Sequence, residues 1–250
     1  ENFREALARK QGKAINREIN PDTEIVVTCG GTEAMMCAMM TICNPKDKVM
    51  VFSPFYENYG ADAILSGAEP IYIPLVPPEY GFDITLIEEG FKQGAKAIIV
   101  CNPSNPCGKV FSKEELMAIG ELAVKYDAFV VTDEVYEHIV YAPYQHTYMS
   151  ALPGMYEHTI TCNSLSKTYS VTGWRLGYAM GPKPIIDAMS KLHQVAVICA
   201  PTTSQYAAVA ALRDGDEDVA QMCESYNQRR RYLMHAFKEM GLPCFEPFGA

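Results

Sequence analysis

The sequence predicts an α/β fold: a three-layer α/β/α sandwich with a mostly parallel central sheet. Three observations carry this. Short apolar segments alternate with helical patterns along most of the chain. One of them, Ala95–Cys101 (AKAIIVC), is continuously apolar, the pattern of a strand buried on both faces of a parallel sheet. At least four polar clusters come directly after such strands, and in open α/β sheets ligands bind outside the carboxyl ends of the strands.

The elements follow in order. Phe3, Leu7, Ala8 and Ile15 have helical spacing over Glu1–Ile15, and Asn20-Pro21-Asp22 ends that segment. Glu24–Thr28 reads as a strand running through Cys29-Gly30-Gly31-Thr32 into an apolar helix, Ala34–Ile42. Strand, glycine turn and helix N-terminus make a ready anion site, because glycine admits close approach and the first helical N–H groups favour negative charge. The same residues also describe a plain corner capped by Thr32. Lys48–Ser53 is the next strand, and the aromatics after it (Phe55, Tyr56, Tyr59) suit either a flat ligand or rim packing. Ile71–Val76 is extended, and Pro74, Pro77 and Pro78 make it an edge or a connection. Ala95–Cys101 ends in Asn102-Pro-Ser-Asn-Pro-Cys-Gly108, where each residue before proline is pushed out of the α region. Ser112 and Glu115 form a capping box opening a helix to Tyr126. Ala128–Thr132 is a strand followed by Asp133-Glu-Val-Tyr136, in which Asp133 could equally cap a helix.

Thr159–Cys162 and Gly177–Met180 read as two more buried strands, with Ser164, Lys167 and Arg175 on the loop between them. A lysine held there suggests a desolvated amine, which loses its proton readily and condenses with carbonyls. Helices are expected at 184–195, 204–212 and 216–240. Asp214-Gly-Asp-Glu217 is the best boundary, giving a large domain over residues 1–215 and, over 216–250, an interdomain helix with the start of a small domain. Both ends read as cut from a longer chain.

Composition narrows the function. The 250 residues are 48% hydrophobic and 20% charged, with a net charge of −9 and no basic run longer than Arg229–Arg231, which argues against nucleic-acid and membrane-surface partners. No apolar stretch reaches the ~20 residues of a membrane span. Nine cysteines without C-x-x-C spacing point to a reducing, cytoplasmic setting and to no metal site. The histidines at 138, 146 and 158 lack metal-ligand spacing and read as surface or supporting residues. The thirteen methionines read as core filling.

Gathered at one sheet edge, these clusters offer an anion cradle, a ring-facing aromatic, a carboxylate, two oxygen partners and an amine. That inventory suits pyridoxal 5′-phosphate, whose pyridine ring acts as an electron sink. The motifs Asn102–Gly108, Thr132-Asp-Glu-Val-Tyr136 and Ser164-Leu-Ser-Lys-Thr-Tyr169 with Gly173-Trp-Arg175 resemble those of the class I aminotransferases, fold type I of the pyridoxal-phosphate enzymes. The resemblance extends over nearly the whole chain. It implies that Lys167 binds the cofactor aldehyde and serves as the catalytic base. Asp133 would pair with the ring nitrogen, and Asn105 and Tyr136 would bond the ring hydroxyl. Gly31, Thr32, Ser164 and Arg175 would hold the phosphate, with Tyr56 over the ring face. Cys107 departs from the family's usual threonine. The implied reaction moves an amino group between an L-amino acid and a 2-oxo acid, in a homodimer. Two alternatives keep the fold: a C–S β-lyase using the same cofactor, and a regulatory module without turnover.

Overall fold

The computed structural model describes residues 2–250. Its centre is a seven-stranded sheet: β1 (Ile25–Thr28), β2 (Lys48–Ser53), β3 (Glu69–Pro74), β4 (Ala95–Cys101), β5 (Phe129–Asp133), β6 (Thr159–Ser164) and β7 (Gly177–Met180). The spatial order is β1-β7-β6-β5-β4-β2-β3. Neighbours from β6 to β3 run parallel, whereas β7 is antiparallel to both β6 and β1. The α/β expectation with a mostly parallel sheet therefore holds, with β7 as the one reversed strand.

The pleat sends alternate side chains to opposite faces, and each face has its own core. On one face Val49, Val51, Ala97, Ile99, Val131, Ile160 and Ala179 pack under α2 (Gly31–Ile42), α3 (Asn58–Leu65) and α7 (Lys183–Val197). On the other, Met50, Phe52, Ile98, Val100 and Val130 meet α4 (Ile84–Lys92) and α5 (Lys113–Lys125). That second layer continues through α1 (Phe3–Ile15) and α8 (Thr202–Asp214), which cover Ile25, Tyr178 and Met180. α9 (Asp216–Glu239) leaves the sheet after Gly215 and buries only Val219 of its 24 residues.

Several local expectations need correction. The extended segment placed at 71–76 is β3 over 69–74, although it is indeed the sheet edge. Two helices, α3 and α4, lie in stretches that carried no helical reading. Glu1 falls outside the described residues. The first helix starts at Phe3, closed by a capping box between Asn2 and Glu5. Thr32 does not cap α2: the cap is Gly30, with φ 88°, and Thr32 lies inside the first turn. Lys167 is not on an irregular loop but in a single-turn helix, α6 (Leu165–Thr168), capped by Ser164. Of the two alternatives for His146, surface or supporting, the structure bears out the second: its buried ring lies 3.3 Å from Glu134.

Candidate active site

Strand direction decides where the polar clusters meet. β1, β2, β4, β5 and β6 all end on one edge of the sheet, and β7, being reversed, begins there. That reversal explains why Arg175 reaches the edge from before its strand while the other candidates come after theirs. All nine candidate residues line one cleft at this edge: Gly31, Thr32, Tyr56, Asn105, Asp133, Tyr136, Ser164, Lys167 and Arg175. Its volume is about 210 Å³, room for more than a lone ion.

One end of the cleft is built for an anion. No side chain caps α2, so its first N–H groups face the cleft without an internal partner. The left-handed backbone at Gly30 is suited to glycine, and a Cβ there would strike the Arg175 guanidinium. Gly177 is constrained differently: a Cβ would sit 2.6 Å from the Gly31 nitrogen and 2.8 Å from the Asn163 oxygen. Only glycine at 177 lets the start of α2 pack onto the junction of β6 and β7. Arg175 donates from Nη1 to Thr172 O at 3.0 Å and from Nη2 to Cys29 O at 3.3 Å. These bonds use two of the five N–H donors of a guanidinium and leave the others for a ligand. Ser164 Oγ donates to Leu176 O at 3.0 Å and accepts the Ser166 N–H at 3.1 Å.

The opposite end is acidic. Asp133 closes β5 and is held through both oxygens: Oδ2 accepts the Tyr59 hydroxyl at 2.7 Å and Oδ1 the Val135 N–H at 3.1 Å. Burial pushes this carboxyl above its ordinary range, the two hydrogen bonds pull it back, and Glu134 nearby pushes it further up. No cation lies within ion-pair distance of it among the described residues. The Tyr136 phenol is hydrogen-bonded by Asn105, and burial pushes its pKa up to about 12. Between the two ends the Lys167 ammonium stands 5.9 Å over the Tyr136 ring, with no hydrogen bond or ion pair among the described residues. Here the sequence-based picture is corrected, because Lys167 is exposed to the cleft rather than desolvated.

Asn58, Ser166 and Thr172, which carried no role in the sequence, also line the cleft, as does Tyr59, named there only among the aromatics after β2. Tyr59 is the most consequential of these. Its signal was present in the spacing Tyr56-x-x-Tyr59, which puts both rings on one turn and, in the structure, 5.8 Å apart edge to face.

The residues fit a phosphorylated pyridine aldehyde. The anion cradle has a glycine that any Cβ would block. The half-buried carboxylate lacks a cation, which a protonated ring nitrogen would provide. The amine is unpaired and reachable.

Comparison with known proteins agrees with this chemistry. The sequence model of the family "Aminotransferase class I and II" matches residues 1–250. A putative aminotransferase of Bacillus subtilis, YugH, is 39% identical over 250 residues, covering 99% of this chain and 64% of that protein. The aspartate aminotransferase of Pyrococcus abyssi is 36% identical, with 99% and 64% covered. Among solved structures, N-succinyldiaminopimelate aminotransferase from Mycobacterium tuberculosis superposes with a TM-score of 0.95 at 34% identity, covering 99% of this chain and 65% of that one. The chain thus spans about 64% of the length of these curated relatives. With the family model matched from end to end and the fold shared at this level of identity, the chain belongs to the class I and II aminotransferases.

Proposed function

We propose that this chain carries the pyridoxal-phosphate site of an aminotransferase, and that the whole protein moves an amino group between an L-amino acid and a 2-oxo acid. The observation that carries this reading is the presence in one cleft of an unpaired Lys167 amine, the Asp133 carboxylate and the cradle of Arg175 and α2.

Bound pyridoxal phosphate supplies an aldehyde that condenses with amines and a ring that withdraws electrons from the carbon beside the resulting nitrogen. The chain's own residues do the rest. Gly31, Thr32, Ser164 and Arg175 bind the phosphate, with the guanidinium able to offer parallel N–H bonds. Tyr56 packs on the ring face. Asn105 and Tyr136 bond the ring hydroxyl, Tyr136 as a phenol that stays protonated at neutral pH. Asp133 holds the ring nitrogen in its charged form. Lys167 would hold the cofactor aldehyde, and its amine, when free, would take the proton from the substrate α-carbon and later return it.

The relatives named above act, by their names, on aspartate or on N-succinyldiaminopimelate. For this protein the reading stays at the level of an L-amino acid donor. We further propose a homodimer, a cytoplasmic location consistent with nine free cysteines, and a small domain beginning within residues 216–250. No helix among the described residues is long and apolar enough to cross a membrane.

The test is spectral and chemical. The full-length protein should take up pyridoxal phosphate with a visible absorption band, and borohydride should fix the cofactor onto the peptide containing Lys167. A Lys167→Ala variant should show neither. A wild-type protein that stays colourless in excess cofactor would remove the basis of the proposal.

A further inference from the structure

Tyr59 stands behind the acid end of the cleft, and nothing in the proposed reaction uses it. It is the second residue of α3 and is buried, with its ring packed in the core under that helix. A phenylalanine would fill the same space. What the hydroxyl adds is a hydrogen bond, 2.7 Å to Asp133 Oδ2, beside the Cys101 thiol. With the Val135 N–H on Oδ1, each carboxylate oxygen has one fixed donor, so the plane of the group cannot turn. The remaining lone pairs are those left to face the cleft.

We propose that Tyr59 is a positioning residue for the cofactor, its hydroxyl holding Asp133 in one orientation and in its charged form toward the ring nitrogen. The inference rests on the proposed pyridoxal-phosphate site. Three features support it. A donor to a carboxylate favours the ionised form, and it offsets the burial that works against ionisation at Asp133. The Tyr59 phenol is itself pushed well above its usual range, first by burial and then by Asp133, so it remains a donor at any working pH. Tyr59 also follows Tyr56 across the turn that leads into α3, its N–H donating to Tyr56 O at 3.1 Å, and the two rings lie edge to face 5.8 Å apart. The turn leading into α3 therefore sets both the ring-facing aromatic and the carboxylate behind the ring.

The experiment uses the full-length protein as wild type, Tyr59→Phe, Asp133→Asn and the double variant. Pyridoxal phosphate is titrated into each apo protein, and the pH midpoint of the visible band is recorded on the loaded forms. Tyr59→Phe should weaken cofactor affinity about tenfold, the scale of a lost hydrogen bond to a charged group. Its pH midpoint should move up, because a ring nitrogen that holds its proton less often leaves the Lys167 nitrogen protonated to higher pH. In the Asp133→Asn background the same change should have little further effect, since residues acting through one another are not additive. Unchanged affinity and midpoint in Tyr59→Phe would overturn the proposal. So would a full tenfold loss added on top of Asp133→Asn, which would mark Tyr59 as packing alone. Wild-type protein that takes up no cofactor would instead overturn the site itself, a distinguishable result.

Discussion

Replacing Asp62 with asparagine should stabilise the apo protein at neutral pH and leave it nearly unchanged in acid. Asp62 sits on the buried side of α3, 5% exposed, and its Oδ2 has no hydrogen-bond partner. Burial raises its pKa from 3.8 to about 6. The sign follows from proton binding. The folded state holds the proton more tightly than the unfolded chain, so this group's contribution is whole below 3.8 and is lost as pH rises through about 6. A shift of about two units amounts to at most about 3 kcal/mol, of which about 1.4 kcal/mol is lost between about pH 5 and pH 8. Asparagine does not titrate, and the other groups respond to pH alike in both proteins. The quantity to measure is therefore a double difference: unfolding free energies from urea titrations of wild type and Asp62→Asn, each at about pH 5 and pH 8. The variant should gain about 1 to 1.5 kcal/mol relative to wild type across that interval. The packing change made by the amide cancels in the subtraction. A double difference near zero would show that the Asp62 carboxylate is solvated or partnered in solution, and the argument from its burial would be wrong.

Other substitutions follow from single contacts. Gly177→Ala places a methyl against backbone atoms of Gly31 and Asn163 that cannot yield, and should cost about 2 to 3 kcal/mol, a fall in Tm of about 5 °C or more. Gly173→Ala is its control, since a Cβ there meets nothing within 4 Å, and it should stay within about 0.5 kcal/mol of wild type in the same thermal scans. Ser112→Ala removes the hydroxyl that accepts the Glu115 N–H at 3.1 Å and should cost about 1 kcal/mol by urea unfolding. Glu115→Ala should cost about 3 kcal/mol or more in that assay, because it also strips the 2.8 Å partner from Lys109, which is 5% exposed.

What the sequence disclosed and what it hid have separate physical origins. β2, β4 and β7 were legible to the residue because strands buried on both faces carry polar residues only near their ends, as at Lys48, Ser53 and Lys96. α5 announced itself through Ser112 and Glu115, whose bonds are local. α3 was invisible because its outer end is apolar without being buried: Ile64 and Leu65 are 61% and 71% exposed, so no clean stripe marks the helix. The nine cleft residues could be named because each flanks the end or start of a strand, and the sheet does the gathering. The bond from Tyr59 to Asp133 could not, because its partner ends a distant strand, β5, and is met only when α3 forms its first turn. The direction of β7 had a signal that went unused. The connection from Ser164 to Gly177 holds only single helical turns, too little for a parallel crossover.

The same geometry makes the apo site a cost to the fold, and this gives a test of how the pieces are coupled. Asp133 is a half-buried carboxylate with no cation beside it among the described residues, and burial raises its pKa. By the sign rule applied to Asp62, its contribution to apo stability is lost as pH climbs above the ordinary carboxylate value. A cationic ring nitrogen would return that contribution, so pyridoxal phosphate should stabilise the protein more at about pH 8 than at about pH 5.5. At a hundredfold excess over its dissociation constant any ligand adds about 2.7 kcal/mol, here about 5 to 10 °C in Tm. The phosphate titrates in the same interval, so the rise alone does not isolate Asp133. Asp133→Asn does, because it keeps the cradle and removes only the carboxylate's share. At fixed cofactor concentration the increase in Tm shift between the two pH values should be clearly smaller in the variant. An equal increase in both proteins would mean that the carboxylate and the ring nitrogen do not meet, and the arrangement of the cofactor between Arg175 and Asp133 would have to be redrawn.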